Sequence, residues 1–390
     1  MSAAPTRCPL CAGGELEVFH VVRGVPTNSC LILDSAAAAR DCPRGDIELA
    51  FCGGCGFIHN RAFDPRRTEY SERYVSTQAH SGTFNTYQTG LAERIGARFE
   101  VGDGGIVDVG CGEGDFLAVL SEVLDVPGVG VDPAAPRRPA RDPRVRFIPE
   151  LLTAALADSL TADVVVCKMT LEHVADLHGF VDRLARIVRH RPRSGLFVSV
   201  PANERILATG AFWDIYYEHC NYFTQTSLRR LLQAHGFGDP IIERDYGDQY
   251  LAAFGRLGEA GPAGDETTPA ALAEAVAGFA AAAAEGAAAW NAELARRRAR
   301  GETIVLWGSG SKAVGFMSRL ERPEDITAVV DINPARQHRY SAGTGHPIVA
   351  PAALAELRPD CVVVMNPNYR EEIAAALASL APNAELRVLA

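Results

Sequence analysis

Between residues 104 and about 256, short apolar runs alternate with stretches of helical period. Ile106–Val109 reads as a buried strand, followed by a glycine turn and a helix over Asp115–Leu124. Val129–Val131 reads as a second strand and Asp163–Val166 as a third. Gly179–Val188 has the period of a helix, and Gly195–Val200 is a fourth apolar run. Apolar strands regularly interrupted by helices predict a mostly parallel sheet covered on both faces. The pattern restarts at 302. Thr303–Trp307 reads as a strand, Gly308-Ser309-Gly310 as a tight turn, Lys312–Leu320 as a helix, and Ile326–Val330 and Cys361–Met365 as strands. The expected fold class is therefore α/β, with two Rossmann-like units alike in plan and without a residue-level repeat.

Three other stretches differ in character. Residues 1–62 hold six of the ten cysteines, many turn residues and few long periodic runs, which suggests a small metal-stapled module. Residues 63–100 are aromatic and polar, then helical in pattern up to Leu91–Phe99. Residues 262–300 are rich in Ala with Glu and Arg, and Ala is the best helix former, so a long connecting helix is expected. The domains drawn from these shifts are 1–62, 63–260, a connecting helix over 261–300, and 301–390.

At 390 residues the chain exceeds one ordinary domain, and its 47% of hydrophobic residues suffices for real cores. A net charge of −10 argues against nucleic acid or an anionic membrane as the main partner, because both reward basic patches. The opening residues Met1 to Cys8 carry no apolar run of the signal-peptide kind. No stretch approaches the ~18 apolar residues of a membrane span, since Glu, Gly and Asn break the Ala-rich run. A cytoplasmic protein, monomeric or homodimeric, is expected, with its cysteines as thiols or metal ligands.

Cys8-Pro9-Leu10-Cys11 and Cys52-Gly53-Gly54-Cys55 are two C-x-x-C pairs. Each such loop brings two thiolates to one ion, and two loops complete a tetrahedral zinc shell. The interval between them is long, and Cys30 or Cys42 within it could replace a ligand. Unligated thiols are the alternative. Neither pair opens a helix after a strand, which disfavours redox chemistry. Cys8, Cys11, Cys52 and Cys55 are thus read as ligands of a structural zinc, with no vacant position for catalysis.

The run Val107-Asp108-Val109-Gly110-Cys111-Gly112-Glu113-Gly114 ends a buried strand in a glycine turn that opens a helix. Glycines let a ligand approach the backbone, although dinucleotide enzymes share a Gly-x-Gly turn. Here Asp108 lies inside the strand and the spacing is Gly-x-Gly-x-Gly. This resembles motif I of class I methyltransferases. The resemblance implies S-adenosylmethionine as cofactor, held by Asp108, Gly110, Gly112 and Gly114. Asp132, at the end of the second strand, could accept from a ribose hydroxyl pair or cap a helix before Pro133. Lys168-Met169-Thr170-Leu171-Glu172-His173 follows the third strand and resembles the family's Leu-Glu-His stretch. That adds Lys168 and Glu172 to the cofactor set and leaves His173 either lining the pocket or structural.

Phe212 to Thr224 is dense in aromatic and titratable residues: Tyr216, Tyr217, Glu218, His219, Tyr222 and Phe223 among them. It follows the fourth strand, which places it over the cofactor's reactive end. An imidazole of pKa ~6.5 is available as a base at neutral pH, a carboxylate can orient it, and tyrosine hydroxyls can stabilise a developing oxyanion. An aromatic core with an incidental histidine is the alternative. The combination resembles the sugar C-methyltransferases of antibiotic biosynthesis, whose Tyr-x-Glu-His…Tyr-Phe stretch matches Tyr216, Glu218, His219, Tyr222 and Phe223. Tyr70-Ser71-Glu72-Arg73-Tyr74, Gly308-Ser309-Gly310-Ser311-Lys312, Val330-Asp331-Ile332-Asn333-Pro334 and Asn366-Pro367-Asn368 extend the similarity over essentially the whole chain. The segment Arg339 to Ile348 follows the family pattern only in part.

This resemblance implies a nucleotide-linked keto-deoxysugar as substrate. His219 would remove a proton next to the ketone, with Glu218 and Tyr216 nearby and Tyr74 or Tyr222 placing the sugar or its enolate oxygen. It also implies a C-terminal domain that helps close the cleft or grips the nucleotide, whereas Gly308, Gly310 and Asp331 echo a dinucleotide site. A methyltransferase of a non-sugar metabolite and a cofactor-binding scaffold without turnover are the competing readings.

Overall fold

The computed structural model describes residues 6–71, 73–138, 140–191, 193–258 and 268–389. Three sheets organise them. The first is antiparallel: β1 (Glu17–Pro26), β2 (Arg44–Phe51) and β3 (Ile58–Asn60) in sequence order. Alternation along β1 is blurred by two register shifts against β2, which is why the sequence shows no clean strand period there.

The central sheet holds β4 (Ile106–Val109), β5 (Gly128–Val131), β6 (Val145–Ile148), β7 (Val164–Lys168), β8 (Gly195–Pro201), β10 (Ile241–Asp245) and β11 (Tyr250–Arg256). Its order is β10-β11-β8-β7-β4-β5-β6, parallel except for β11 and β10. Every residue of β4 is buried, as the unbroken apolar run implied. The helices Gly82–Arg98 and Asp115–Leu124 pack on one face, around Leu91, Ile95, Phe116 and Leu120; Leu177–Val188 covers the other. The antiparallel pair β10–β11 was not anticipated from the alternating pattern.

The third sheet is wholly parallel, in the order β14-β13-β12-β15-β16, with β12 (Ile304–Trp307), β13 (Ala328–Val330), β14 (Ile348–Val349), β15 (Cys361–Val364) and β16 (Glu385–Val388). Strands β6 and β16 are short and mixed in polarity, β14 is two apolar residues long, and none of the three is in the sequence reading.

The Ala-rich segment is one helix, Pro269–Ala299, capped by Thr268. The start of the expected connector, up to residue 267, lies outside the described residues. Contrary to the sequence estimate, this helix is long and apolar enough to cross a membrane, at mean hydropathy 1.3, because alanine counts as apolar throughout. Its stripe of Leu272, Val276, Phe279, Ala283 and Ala287 is instead buried in a core shared with Ile206, Phe212 and strand β12.

Two features tie the sheets together. Strand β9 (Asn221–Tyr222) leaves the central domain and pairs with β3, so that Ile58 faces Tyr222 and His59 faces Asn221. On the C-terminal side, Glu372 accepts from Ser81 Oγ at 2.7 Å and from the Thr83 amide at 3.1 Å, at the N-terminus of the helix Gly82–Arg98.

Candidate active site

The order of the central sheet reverses between β4 and β7, and ligands of such sheets bind outside the carboxyl ends at that point. Strand β4 ends there in the glycine turn. Gly110 has φ +80°, and a Cβ on it would lie 2.0 Å from Thr170 Oγ1. Gly112 also has positive φ, +52°, but faces open space. The turn is thus pressed against protein at one glycine and open at the next. Gly114 starts the helix Asp115–Leu124 and abuts Phe147.

Around this turn, several buried polar atoms lack partners. Asp108 Oδ1 has none, and burial pushes its carboxyl up to about 7. Neither oxygen of Glu172 has one, and burial pushes it to about 8. Ser199 Oγ and Asn203 Nδ2, on and after β8, are likewise unpaired. Lys168 lies with its ammonium 5.2 Å from the Phe116 ring and 5.5 Å from the Phe84 ring, its pKa lowered by burial. Buried polar groups are nearly always satisfied, so a row of orphans along one sheet edge marks a ligand site. Asp132 is engaged: Oδ2 accepts from the Gly112 amide at 3.1 Å and Oδ1 from the Ala134 amide at 2.7 Å. No helix starts at Pro133, so the capping alternative falls; the carboxylate braces the open glycine from the side. Open backbone at Gly112, flanked by Asp108 and Asp132, fits the nucleoside and amino-acid ends of S-adenosylmethionine.

His219 lies beside this edge, 5% exposed. Its ring is 4.3 Å from that of Tyr216, 4.7 Å from that of His173 and 6.2 Å from that of Tyr222. Among the described residues no hydrogen bond reaches its ring nitrogens. Burial, with His173 and Lys312 adding to it, holds its pKa well below the ordinary value. The histidine is therefore neutral at pH 7.

Its neighbours come from far along the chain. His173 Nδ1 is 3.0 Å from the Glu218 carbonyl oxygen and 2.9 Å from the Tyr70 hydroxyl. A carbonyl only accepts, which places the proton on Nδ1 and the lone pair on Nε2. The carboxylate of Glu218 turns the other way, accepting from the Ser29 amide at 3.0 Å and from the Ser29 hydroxyl. No hydrogen bond joins it to His219. Tyr74 lies against Glu218, and burial together with that carboxylate raises its hydroxyl well above the usual pKa. Burial likewise raises Tyr216. The Tyr222 hydroxyl donates to the Tyr216 carbonyl at 3.2 Å, so it braces the loop.

The structure brings His219, Tyr216, Tyr222, Tyr74 and Glu218 to one end of the sheet that also carries Asp108, Glu172 and Lys168. Sequence reasoning missed Ser29, 189 positions from Glu218, and the bond from Tyr70 to His173; no local signal marks either.

The four cysteines converge separately. Cys8 and Cys55 sulfurs are 3.6 Å apart, Cys11 and Cys52 sulfurs 3.7 Å, and all four lie within 4.8 Å of one another. Zinc–sulfur bonds of ~2.3 Å in a tetrahedron put sulfurs ~3.8 Å apart, so the set fits that ion. Cys30 and Cys42 stay outside the cluster. The knuckles rest on the central domain: His178 Nε2 donates to the Leu10 carbonyl at 2.8 Å and Arg230 to the Gly54 carbonyl at 3.0 Å.

Family models match both α/β domains. Residues 84–239 match the family model of a methyltransferase domain, and residues 266–385 that of a C-methyltransferase C-terminal domain. The chain is 25% identical over 350 residues to the C-methyltransferase NovU of Streptomyces niveus, covering 84% of this chain and 81% of NovU. Among solved structures, it is similar to the Burkholderia thailandensis 1,6-didemethyltoxoflavin-N1-methyltransferase (20% identity, 46% of this chain and 79% of that one, TM-score 0.34). It is also similar to the Synechocystis magnesium protoporphyrin IX methyltransferase (16%, 44% and 83%, TM-score 0.33). With a methyltransferase domain around the Asp108–Gly114 turn and a C-methyltransferase C-terminal domain docked upon it, the chain belongs to the S-adenosylmethionine-dependent C-methyltransferases.

Proposed function

We propose that this enzyme methylates the carbon next to the ketone of a nucleotide-linked keto-deoxysugar, with His219 as the base. One observation carries the reading: a neutral imidazole, without a hydrogen bond among the described residues, held among tyrosines at the sheet edge that bears the glycine turn. S-adenosylmethionine, when bound, supplies an electrophilic methyl group; Asp108, Gly110, Gly112, Gly114, Asp132, Lys168 and Glu172 would hold it. A carbon acceptor must first be made nucleophilic. The proton next to the ketone passes to the lone pair of His219, and the carbon–hydrogen electron pair shifts into the enolate. Tyr74 and Tyr216 stay protonated because burial raises them, so their hydroxyls can donate to the enolate oxygen. Glu218 and Tyr222 then act as braces of the loop. That a relative over most of the chain is named a C-methyltransferase supports a carbon acceptor. The sugar rests on the motif resemblance around Tyr216–Phe223.

The decisive measurement is solvent deuterium exchange alongside methyl transfer across a panel of nucleotide keto-sugars. His219→Ala should keep cofactor affinity, lose exchange, and lose methyl transfer by at least ~10²-fold. Exchange at the wild-type rate in that variant would remove His219 as the base.

We further infer one structural zinc per chain on Cys8, Cys11, Cys52 and Cys55. Metal analysis should find one equivalent, lost together with several degrees of Tm in the double variant Cys8→Ser/Cys52→Ser. Full zinc retention there would reject the four-cysteine site.

A further inference from the structure

The C-terminal domain reaches the segment that carries His219 through one short helix, Ser311–Met317. Asp214, in the turn Phe212–Asp214 just before His219, is 5% exposed. Its carboxylate binds two cations: Arg205, from the same domain, and the Lys312 ammonium, from the C-terminal one. The helix sits so close that a Cβ on Gly315 would lie 2.6 Å from the Trp213 carbonyl oxygen. At its first residue, the Ser311 hydroxyl is 2.6 Å from that of Ser29, which in turn donates to Glu218. One helical turn therefore holds the segment at Asp214 directly and at Glu218 through Ser29.

We propose that Lys312 is a positioning residue for His219: by closing on Asp214 it fixes the 212–222 segment over the cleft. The proposal rests on the reading of His219 as the base. Between the turn Phe212–Asp214 and the two-residue strand β9 the segment has no regular structure of its own, so external anchors set its position. A displacement of about 1 Å at a reacting group can cost ~10²-fold in rate.

Lys312 also has an electrostatic signature. The groups facing His219 are His173, Tyr216, Tyr222, the Glu172 carboxylate and, further out, Lys312 itself. An ammonium nearby opposes an imidazolium. Removing it raises the imidazole pKa, and because a base works only unprotonated, the acid limb of kcat/KM moves to higher pH.

In Lys312→Met, we expect kcat to fall about 10²-fold. Cofactor Kd should stay within about twofold, the acid limb should move up in pH, and backbone amide exchange over 212–222 should quicken. Lys312→Arg should restore kcat and the limb. Wild-type amide protection with a wild-type acid limb in Lys312→Met overturns the proposal. If that variant fails to fold, Gly315→Ala decides. It pushes the helix off Trp213 with the charge retained, so kcat should fall and the limb stay; an unchanged kcat overturns the proposal. Normal deuterium exchange in His219→Ala would sink the base while leaving the amide-protection result standing, so the two failures are distinguishable.

Discussion

The chain contains two glycine turns of the same plan, each between a buried parallel strand and a helix, and they differ in how the acidic residue beside each is partnered. In the central domain, Asp108 stands two residues before the first glycine with an oxygen unpaired, and Gly112 faces open space. In the C-terminal domain the equivalent strand position is Leu306, fully buried. The aspartate that echoed a dinucleotide site, Asp331, is already saturated. It accepts from the Ser309 amide at 2.9 Å, from the Ser309 hydroxyl and from the Asn333 amide at 2.8 Å. Arg336, 5% exposed, fills the crevice: it donates to Ser309 Oγ at 2.7 Å, to the Ser309 carbonyl at 2.6 Å and to the Val75 carbonyl of the neighbouring domain. Topology alone therefore does not make a cofactor site. What separates the two turns is the acidic group beside each: Asp331 is satisfied by protein although Asn333 Nδ2 next to it is not, whereas Asp108 keeps an oxygen free for a ligand. The saturated turn instead serves docking, which suits a domain that delivers Lys312 and Glu372 to its neighbour.

The sharpest way to break this contrast is a pair of substitutions, one in each turn. Gly110→Ala forces a Cβ into Thr170 at a positive φ, so cofactor affinity should fall by 10²-fold or more, on the order of 3 kcal/mol. Gly310→Ala meets nothing within 4 Å at an ordinary φ of −76°, and titration calorimetry should show cofactor affinity within about twofold of wild type. Equal tolerance at both sites would erase the distinction.

A smaller effect sharpens it. Burial raises the folded-state pKa of Asp108 to about 7, above its unfolded value. The folded protein then binds the extra proton, and stability falls as pH rises from about 4 to about 7. Asp108→Asn removes that penalty. At pH 8 the cofactor-free variant should be more stable than wild type, on the order of 1 kcal/mol or more, while binding cofactor less well. Asp331→Asn, whose carboxylate is satisfied, should instead lower Tm. A cofactor-free Asp108→Asn no more stable than wild type in pH-dependent denaturation would contradict the picture of an unsatisfied buried carboxylate.

Much of this was legible along the chain. The strands β4, β7, β8, β12 and β15 are buried on both faces, so each is a continuous apolar run that stands out from its surroundings. The glycine turn and the cysteine pairs are equally local, since their chemistry depends on spacing within a few residues. Strands β6 and β16 escaped because each lies at a sheet edge and has mixed polarity, and the edge strand β14 because its two residues, Ile348 and Val349, carry no period. Strand β9 escaped because two residues carry no period; only its pairing with β3 makes it a strand.

By itself, then, the sequence determined two α/β units, a cysteine cluster, a strand-ending glycine turn and an aromatic segment bearing His219, all through patterns of short range. Only the tertiary structure decided that Glu218 faces Ser29 instead of His219, that Tyr70 orients His173, and that Lys312 closes on Asp214. Those partners are 189, 103 and 98 positions apart. A buried polar side chain takes whichever complementary group the packing of distant elements brings within about 3 Å, and the order of residues along a chain does not encode that meeting.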